Sequence, residues 1–315
     1  MFYELPNKRL NYFKLFVLGL LLIAGLLFSQ IEAAAGDTPA VEGVTEEDTP
    51  AVEGATEEDT PAVDELPEVP EHFDISPDFD PREITPRFGP GERLRWRVTY
   101  LGLTAGELRV QVDEDDFNGQ DVFKLTLEAE SKGMASWLYS VSDRAVSFMD
   151  VGGLFSWGYD YFQDHEDEED EERVRYYQDK GFFMHDDGER GEIPPYTQDA
   201  LSAVFFLRSQ ELEVGNEYSF PVQVGDEVAQ IYLDVTDIVD VRTCDGWEKA
   251  YLVGVGLERK TGDLDEEGEE VTDRVENIRF WLSKDERQIP YQIAVSAYFG
   301  SIYAYLEDYE PGEEY

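Results

Sequence analysis

The sequence predicts a mainly β fold: a large curled antiparallel sheet, a barrel or half-barrel, with one main helix packed against it. Three observations lead there. After residue 90, about a dozen segments alternate apolar with polar residues, the two-residue period of a half-buried strand. Glycine, asparagine and aspartate punctuate them, and Asn118-Gly119 is the strongest hairpin signal. Only the stretch from Pro194 to Arg208 reads as a convincing helix, and a flat sheet of so many strands does not persist without curling.

Residues 1–35 have the pattern of a signal peptide. Lys8, Arg9 and Lys14 precede the apolar run Leu15 to Phe28, and Ala33-Ala34-Ala35 offers small residues for cleavage. The expected product is exported, periplasmic or secreted; the alternative is an uncleaved N-terminal anchor, against which the run is short for a bilayer span. No cysteine closely follows the run, so a bacterial lipoprotein anchor is not expected.

Residues 36–86 form an acidic tether. Its repeat, Asp37 to Glu47, recurs from Asp48 to Glu58 with one change, and no Lys or Arg occurs from Gly36 to Asp80. Such a segment buries too little apolar surface to offset chain entropy, and its like charges repel, so disorder is expected.

Residues 87–306 make the β-rich domain. Leu94, Trp96, Val98 and Tyr100 alternate with Arg93, Arg95, Arg97 and Thr99; Leu108, Val110 and Val112 complete a hairpin; Phe123, Leu125, Leu127 and Ala129 give a third strand. Gly133 to Tyr139, with Trp137, reads as a helical or irregular plug. Arg144 to Met149, Leu154 to Phe162, Arg173 to Gln178 and Phe182 to His185 read as strands, with Asp164 to Glu172 as a charged hairpin loop. The helix follows, with Thr197 as its cap and Asp199 in its first turn near the positive end of the dipole. Its apolar residues cover most of its girth, so it must be enclosed. Further strands are expected at Tyr218 to Val224, Ala229 to Val235, Lys249 to Leu257, Val271 to Leu282, Tyr291 to Val295 and Ile302 to Leu306. Residues 307–315 read as a frayed acidic tail.

The charge balance excludes several function classes. With 71 acidic and 25 basic residues the net charge is -46, which opposes nucleic acid and anionic lipid surfaces. Acids at nearly every turn suit a surface adapted to salt. Cys244 is the single cysteine, so no internal disulfide forms, and no basic neighbour activates its thiol.

The order of motifs resembles the exported bacterial proteins grouped as domain of unknown function 3108. The resemblance rests on Phe88-Gly89-Pro90-Gly91-Glu92-Arg93-Leu94-Arg95-Trp96 continuing to Gly102-Leu103-Thr104-Ala105-Gly106, on Gln198-Asp199-Ala200-Leu201-Ser202-Ala203 through Arg208, and on Trp281-Leu282-Ser283-Lys284-Asp285 up to Pro290. It implies an envelope location and a β-rich domain, and brings no reaction, ligand or catalytic residue.

No catalytic constellation emerges. His72, His165 and His185 show no metal spacing, and neither a nucleophile elbow nor a phosphate loop is present. No cofactor is expected. Asp263, Asp265 and Glu267 open like a calcium loop, but the twelfth position is Arg274 where a bidentate Glu is required, so only weak Ca2+ binding is in view. Arg208 shares a stripe with Leu201 and Phe205, so its charge must be paired, with Glu92 and Asp285 as candidates.

The leading reading is a non-enzymatic envelope module binding an amphiphilic or apolar ligand, such as a lipid, in a groove between sheet and helix. Glu92, Trp96, Asp199, Ser202, Phe205, Arg208, Trp281 and Asp285 are its structural or ligand-groove candidates. The alternative is a structural or cation-binding protein that contacts an envelope protein. Either way a monomer is expected.

Overall fold

The computed structural model describes residues 84–133, 141–165, 168–264, 270–297 and 300–314. The expected signal peptide, nearly all of the tether, the Trp137 segment, Asp265 and Glu267 lie outside them.

The strands are β1 Arg93–Tyr100, β2 Leu103–Phe117, β3 Gln120–Ser131, β4 Ser142–Asp150, β5 Ser156–His165, β6 Glu168–Tyr177, β7 Phe182–His185, β8 Arg190–Glu192, β9 Glu217–Val224, β10 Glu227–Thr243, β11 Gly246–Leu264, β12 Glu270–Ser283, β13 Pro290–Ala297 and β14 Gly300–Glu310. They make one 14-stranded sheet in the order β8-β7-β6-β5-β4-β3-β2-β1-β14-β13-β12-β11-β10-β9. Every ladder is antiparallel, so two meanders meet where β1 pairs with β14. The edges are β8 and β9, and the chain crosses between them through helix α1, Ala200–Arg208.

The ladder does not close. The seam is instead bridged by the crossover segment: Gln198 N–H donates to Pro221 O at 3.0 Å, and Gln223 N–H donates to Gln198 O at 2.9 Å. The inward residues of β1 (Leu94, Trp96, Val98), β2 (Leu108, Val110, Val112) and β3 (Phe123, Leu125) share one core with Leu201, Phe205 and Phe206 of α1. A smaller core of Val174, Tyr176, Phe183 and Ile193 lies beside the seam.

Four expectations need correction. The helix begins at Ala200 rather than at the prolines, because a residue before proline is driven extended and Thr197 turns its hydroxyl back to Pro194 O. Asp199 is the cap itself. The acidic run from Asp164 is largely strand, since β5 and β6 carry their ladder outward to His165↔Glu168, with Asp164, Asp170 and Glu171 exposed. The tail is not frayed: β14 extends to Glu310, and Glu313 N–H donates to Pro90 O at 2.9 Å.

Candidate functional site

Helix α1 is held at both ends by buried polar contacts. At its N-terminus, Oδ1 of Asp199 accepts from Leu201 N–H at 2.7 Å and Ser202 N–H at 2.9 Å, while Ser202 Oγ accepts from Asp199 N–H at 3.0 Å. This is a reciprocal capping box, with serine in the place usually held by Glu or Gln. Oδ2 of Asp199 accepts from Ser147 Oγ of β4 at 2.5 Å and Ser156 Oγ of β5 at 2.6 Å. The fully buried carboxyl has its pKa raised, because desolvation outweighs these four stabilising bonds.

At the other end, Arg208 donates to both oxygens of Glu92, from Nη1 at 3.1 Å and from Nη2 at 2.8 Å. Glu92 is 0% exposed and Arg208 1%, so the pair is wholly desolvated. The guanidinium also lies over Phe205 at 5.2 Å and Phe88 at 5.9 Å. Gln288 Nε2 donates to Arg208 O and to Gln210 O, tying the helix end to the β12–β13 connection.

Asp285, the second candidate partner for Arg208, instead accepts from Ser283 Oγ at 2.7 Å and Arg287 N–H at 3.0 Å, which closes its own turn. Trp96 is buried and donates from Nε1 to Pro290 O at 2.8 Å. Phe205 meets the ring of Phe88 at 4.7 Å and Phe206 meets Phe220 at 4.8 Å, so aromatic packing fills the expected groove beside Phe205. Trp281 stands on the outer face, with Arg279 over its ring at 5.9 Å. The structure thus brings Glu92, Trp96, Asp199, Ser202, Phe205 and Arg208 together around the helix and leaves Trp281 and Asp285 apart.

A polar strip that sequence reasoning missed runs from Asp199 along the inner face of β4 to β7 toward the seam. Tyr161 donates from its hydroxyl to Asp143 at 2.8 Å, and Tyr176 donates to Gln223 Oε1 of β9 at 2.6 Å, spanning the seam. Burial pushes the phenols of Tyr159, Tyr161 and Tyr176 well above their usual range. His185, 7% exposed, contacts Glu172 at 3.0 Å from Nδ1 and Asp226 at 3.5 Å from Nε2. Burial pulls its pKa down, but the Glu172 hydrogen bond and the charges of Glu172, Asp226 and Asp187 raise it overall.

Three buried atoms along the seam make no hydrogen bond within the protein: Gln178 Oε1, Gln198 Oε1 and His185 Nε2. Their neighbours on the same side chains are engaged. Gln178 Nε2 donates to Ser156 O and Thr197 O, and Gln198 Nε2 donates to Leu154 O and Tyr196 O. The strip was hidden in the sequence because strands distant in the chain supply it, and alternation marks only which face a residue takes.

Among the described residues, no group of three or more His, Cys, Asp or Glu is arranged to hold a metal ion. The weak calcium site expected at Asp263, Asp265 and Glu267 falls mainly outside them.

Solved structures share the arrangement only loosely. A β-barrel-like protein of domain of unknown function DUF1849 from Brucella abortus is 13% identical with a TM-score of 0.47, covering 73% of this chain and 99% of that one. A candidate lipoprotein from Parabacteroides distasonis is 12% identical with a TM-score of 0.33, covering 72% and 100%. A candidate exported protein with a YmcC-like fold from Bacteroides fragilis is 13% identical with a TM-score of 0.28, covering 72% and 99%. No curated protein matches the chain. The family described as protein of unknown function (DUF3108) matches residues 95–307, more than half of the chain, and the protein belongs to that family.

Proposed function

We propose that this is an exported, non-enzymatic envelope protein that binds an amphiphile at the seam between the two edges of its curled sheet. The observation that carries this reading is the pair of buried amide oxygens there without a hydrogen bond, Gln178 Oε1 and Gln198 Oε1. A buried polar atom without a partner costs about 1–3 kcal/mol. A ligand head group that supplies hydrogen bonds removes that cost. The apolar part of the ligand has Val174, Phe183 and Ile193 close by. The seam is also where the wall can part most easily, because among the described residues no continuous ladder crosses it, and the Gln198 bridges and the side-chain contacts of Tyr176 and His185 span it instead. Asp143, Glu172 and Asp226 on the strip favour a cationic or hydroxylated head over an anionic one.

The groove moves accordingly from beside Phe205, where aromatic packing leaves the helix enclosed, to the seam. Titration with a monoacylglycerol and with a long-chain alkyl amine, followed by intrinsic tyrosine and tryptophan fluorescence, tests the reading. Saturable binding that weakens after Gln178→Leu supports it; absence of saturable binding by both probes contradicts it.

A further inference from the structure

We propose that His185 is a proton-operated latch across the seam, closed while its ring is an imidazolium and released when the ring is neutral, so that pH sets how fast an amphiphile exchanges there. The inference rests on the seam reading above and adds its regulation. His185 ends β7, a strand of 4 residues followed at the sheet edge by β8, which has 3. So short an edge has few main-chain bonds and depends on its side chains. The His185 ring is 7% exposed, meets Phe183 edge-on at 5.3 Å, and stands between two carboxylates. Glu172 belongs to β6 on its own side of the seam, and Asp226 to the β9–β10 turn on the other.

The chemistry of imidazole makes this arrangement two-state. Nδ1 lies 3.0 Å from Oε1 of Glu172 and is hydrogen-bonded to it, whereas Nε2 stands 3.5 Å from Oδ1 of Asp226, close enough for attraction between opposite charges. The imidazolium carries a proton on each nitrogen and serves both carboxylates at once. The neutral ring has one N–H. Glu172, at the shorter distance, keeps that proton on Nδ1, and Nε2 then turns a lone pair toward a carboxylate. Loss of one proton therefore spares the contact with Glu172 and makes the contact that crosses the seam repulsive.

The charged groups that face the ring are acidic: Glu172 from β6, Asp226 from the β9–β10 turn and Asp187 from the β7–β8 turn. Asp186 and Glu189 of the latter turn and Glu227 of β10 are exposed acids nearby. The neighbouring cations are engaged elsewhere, Arg173 with Glu171, Arg175 with Asp160, and Arg190 over the ring of Phe182. Burial opposes charge on His185, but the Glu172 hydrogen bond and the facing acids hold its pKa above the ordinary 6.5. The latch is accordingly shut below that value and opens as pH rises through the folded one. Tyr176, which also reaches across to Gln223, does not respond, since burial pushes its phenol well above the usual range.

Hydrogen exchange of the ligand-free protein at about pH 5.5 and about pH 9, corrected for the intrinsic pH dependence of exchange, tests the latch without any ligand. Protection of β7 and β9 should fall about tenfold at the higher pH while that of β2 and β3 holds. Asp226→Asn, at an exposed turn position, should flatten most of this response, and His185→Gln all of it. Dissociation of bound monoacylglycerol, which carries no titratable group, should quicken by a similar factor over the same range and lose that response in Asp226→Asn. The inference is overturned if seam protection is the same at both pH values, if β2 and β3 lose protection in step, or if Asp226→Asn responds as the unmodified protein does. Saturable binding of monoacylglycerol with a dissociation rate indifferent to pH also overturns it and leaves the seam reading intact. A seam that opens with pH yet takes up neither monoacylglycerol nor the alkyl amine upholds the latch and contradicts the amphiphile reading instead.

Discussion

Arg208 and Glu92, 116 residues apart in the chain, form a bidentate ion pair with no contact to solvent. This pair fixes the C-terminal end of α1 to the residue just before β1, at the point where the two meanders join. Removing one partner leaves the other buried and uncompensated, which costs about 3–5 kcal/mol. Arg208→Leu and Glu92→Gln should therefore each lower the urea midpoint strongly. The double change Glu92→Met with Arg208→Leu should cost less than the sum of the single changes. Arg208→Lys should not restore stability, since an ammonium cannot reproduce the two-pronged bond or the stacking on Phe205.

Asp199 carries the opposite end of the helix. Asp199→Ala removes a cap and leaves Ser147 and Ser156 without their shared acceptor, so a loss of roughly 2 kcal/mol or more is expected in denaturant unfolding. The folded carboxyl has a raised pKa, so the folded state binds its proton more tightly than the unfolded chain does. Its contribution to stability consequently falls as pH rises from the ordinary value of 3.8 through the raised one. Asp199→Asn should remove that slope.

His185 links β7 to the β9–β10 turn through Asp226. Its folded pKa is raised, so the stability it adds is fully present below the ordinary 6.5 and lost as pH rises through the folded value. Hydrogen exchange of β7 and β9 should quicken over that window. His185→Gln should abolish the pH dependence.

Gly89 and Gly312 pack backbone to backbone. A Cβ on Gly89 would overlap Glu313 O, and one on Gly312 would overlap Gly89 O. Either Gly89→Ala or Gly312→Ala should cost about 1–3 kcal/mol in thermal unfolding. Exchange to Ala at Gly91, where nothing lies within reach but φ is +85°, tests strain alone.

With a net charge of -46, self-repulsion opposes the compact state at low ionic strength. The melting temperature should rise from dilute buffer to molar salt. Equal stability in both would remove the argument for a salt-adapted surface.

Much of the fold was legible because burial imposes a two-residue period: Leu94, Trp96 and Val98 announce both a strand and its inward face. The Arg208–Glu92 pair was legible too, since a cation on an apolar helix stripe demands an anion. Strand ends were less visible. β5 and β6 continue through Asp164 and Glu169 because main-chain pairing does not require apolar side chains. The cap shifted to Asp199 because proline geometry and the Thr197 hydroxyl both favour an extended crossover there, a competition that composition does not rank. The seam strip depends on register between distant strands, which no local pattern encodes.

Binding of an amphiphile at the seam is tested most directly by native mass spectrometry of protein produced from Gly36 in its own compartment and purified without detergent. The expected result is a stoichiometric mass excess that disappears on denaturation and yields one amphiphile on solvent extraction, with less retained by Gln178→Leu. A stable protein whose native mass equals its chain mass, and which takes up neither probe amphiphile on addition, would contradict the account.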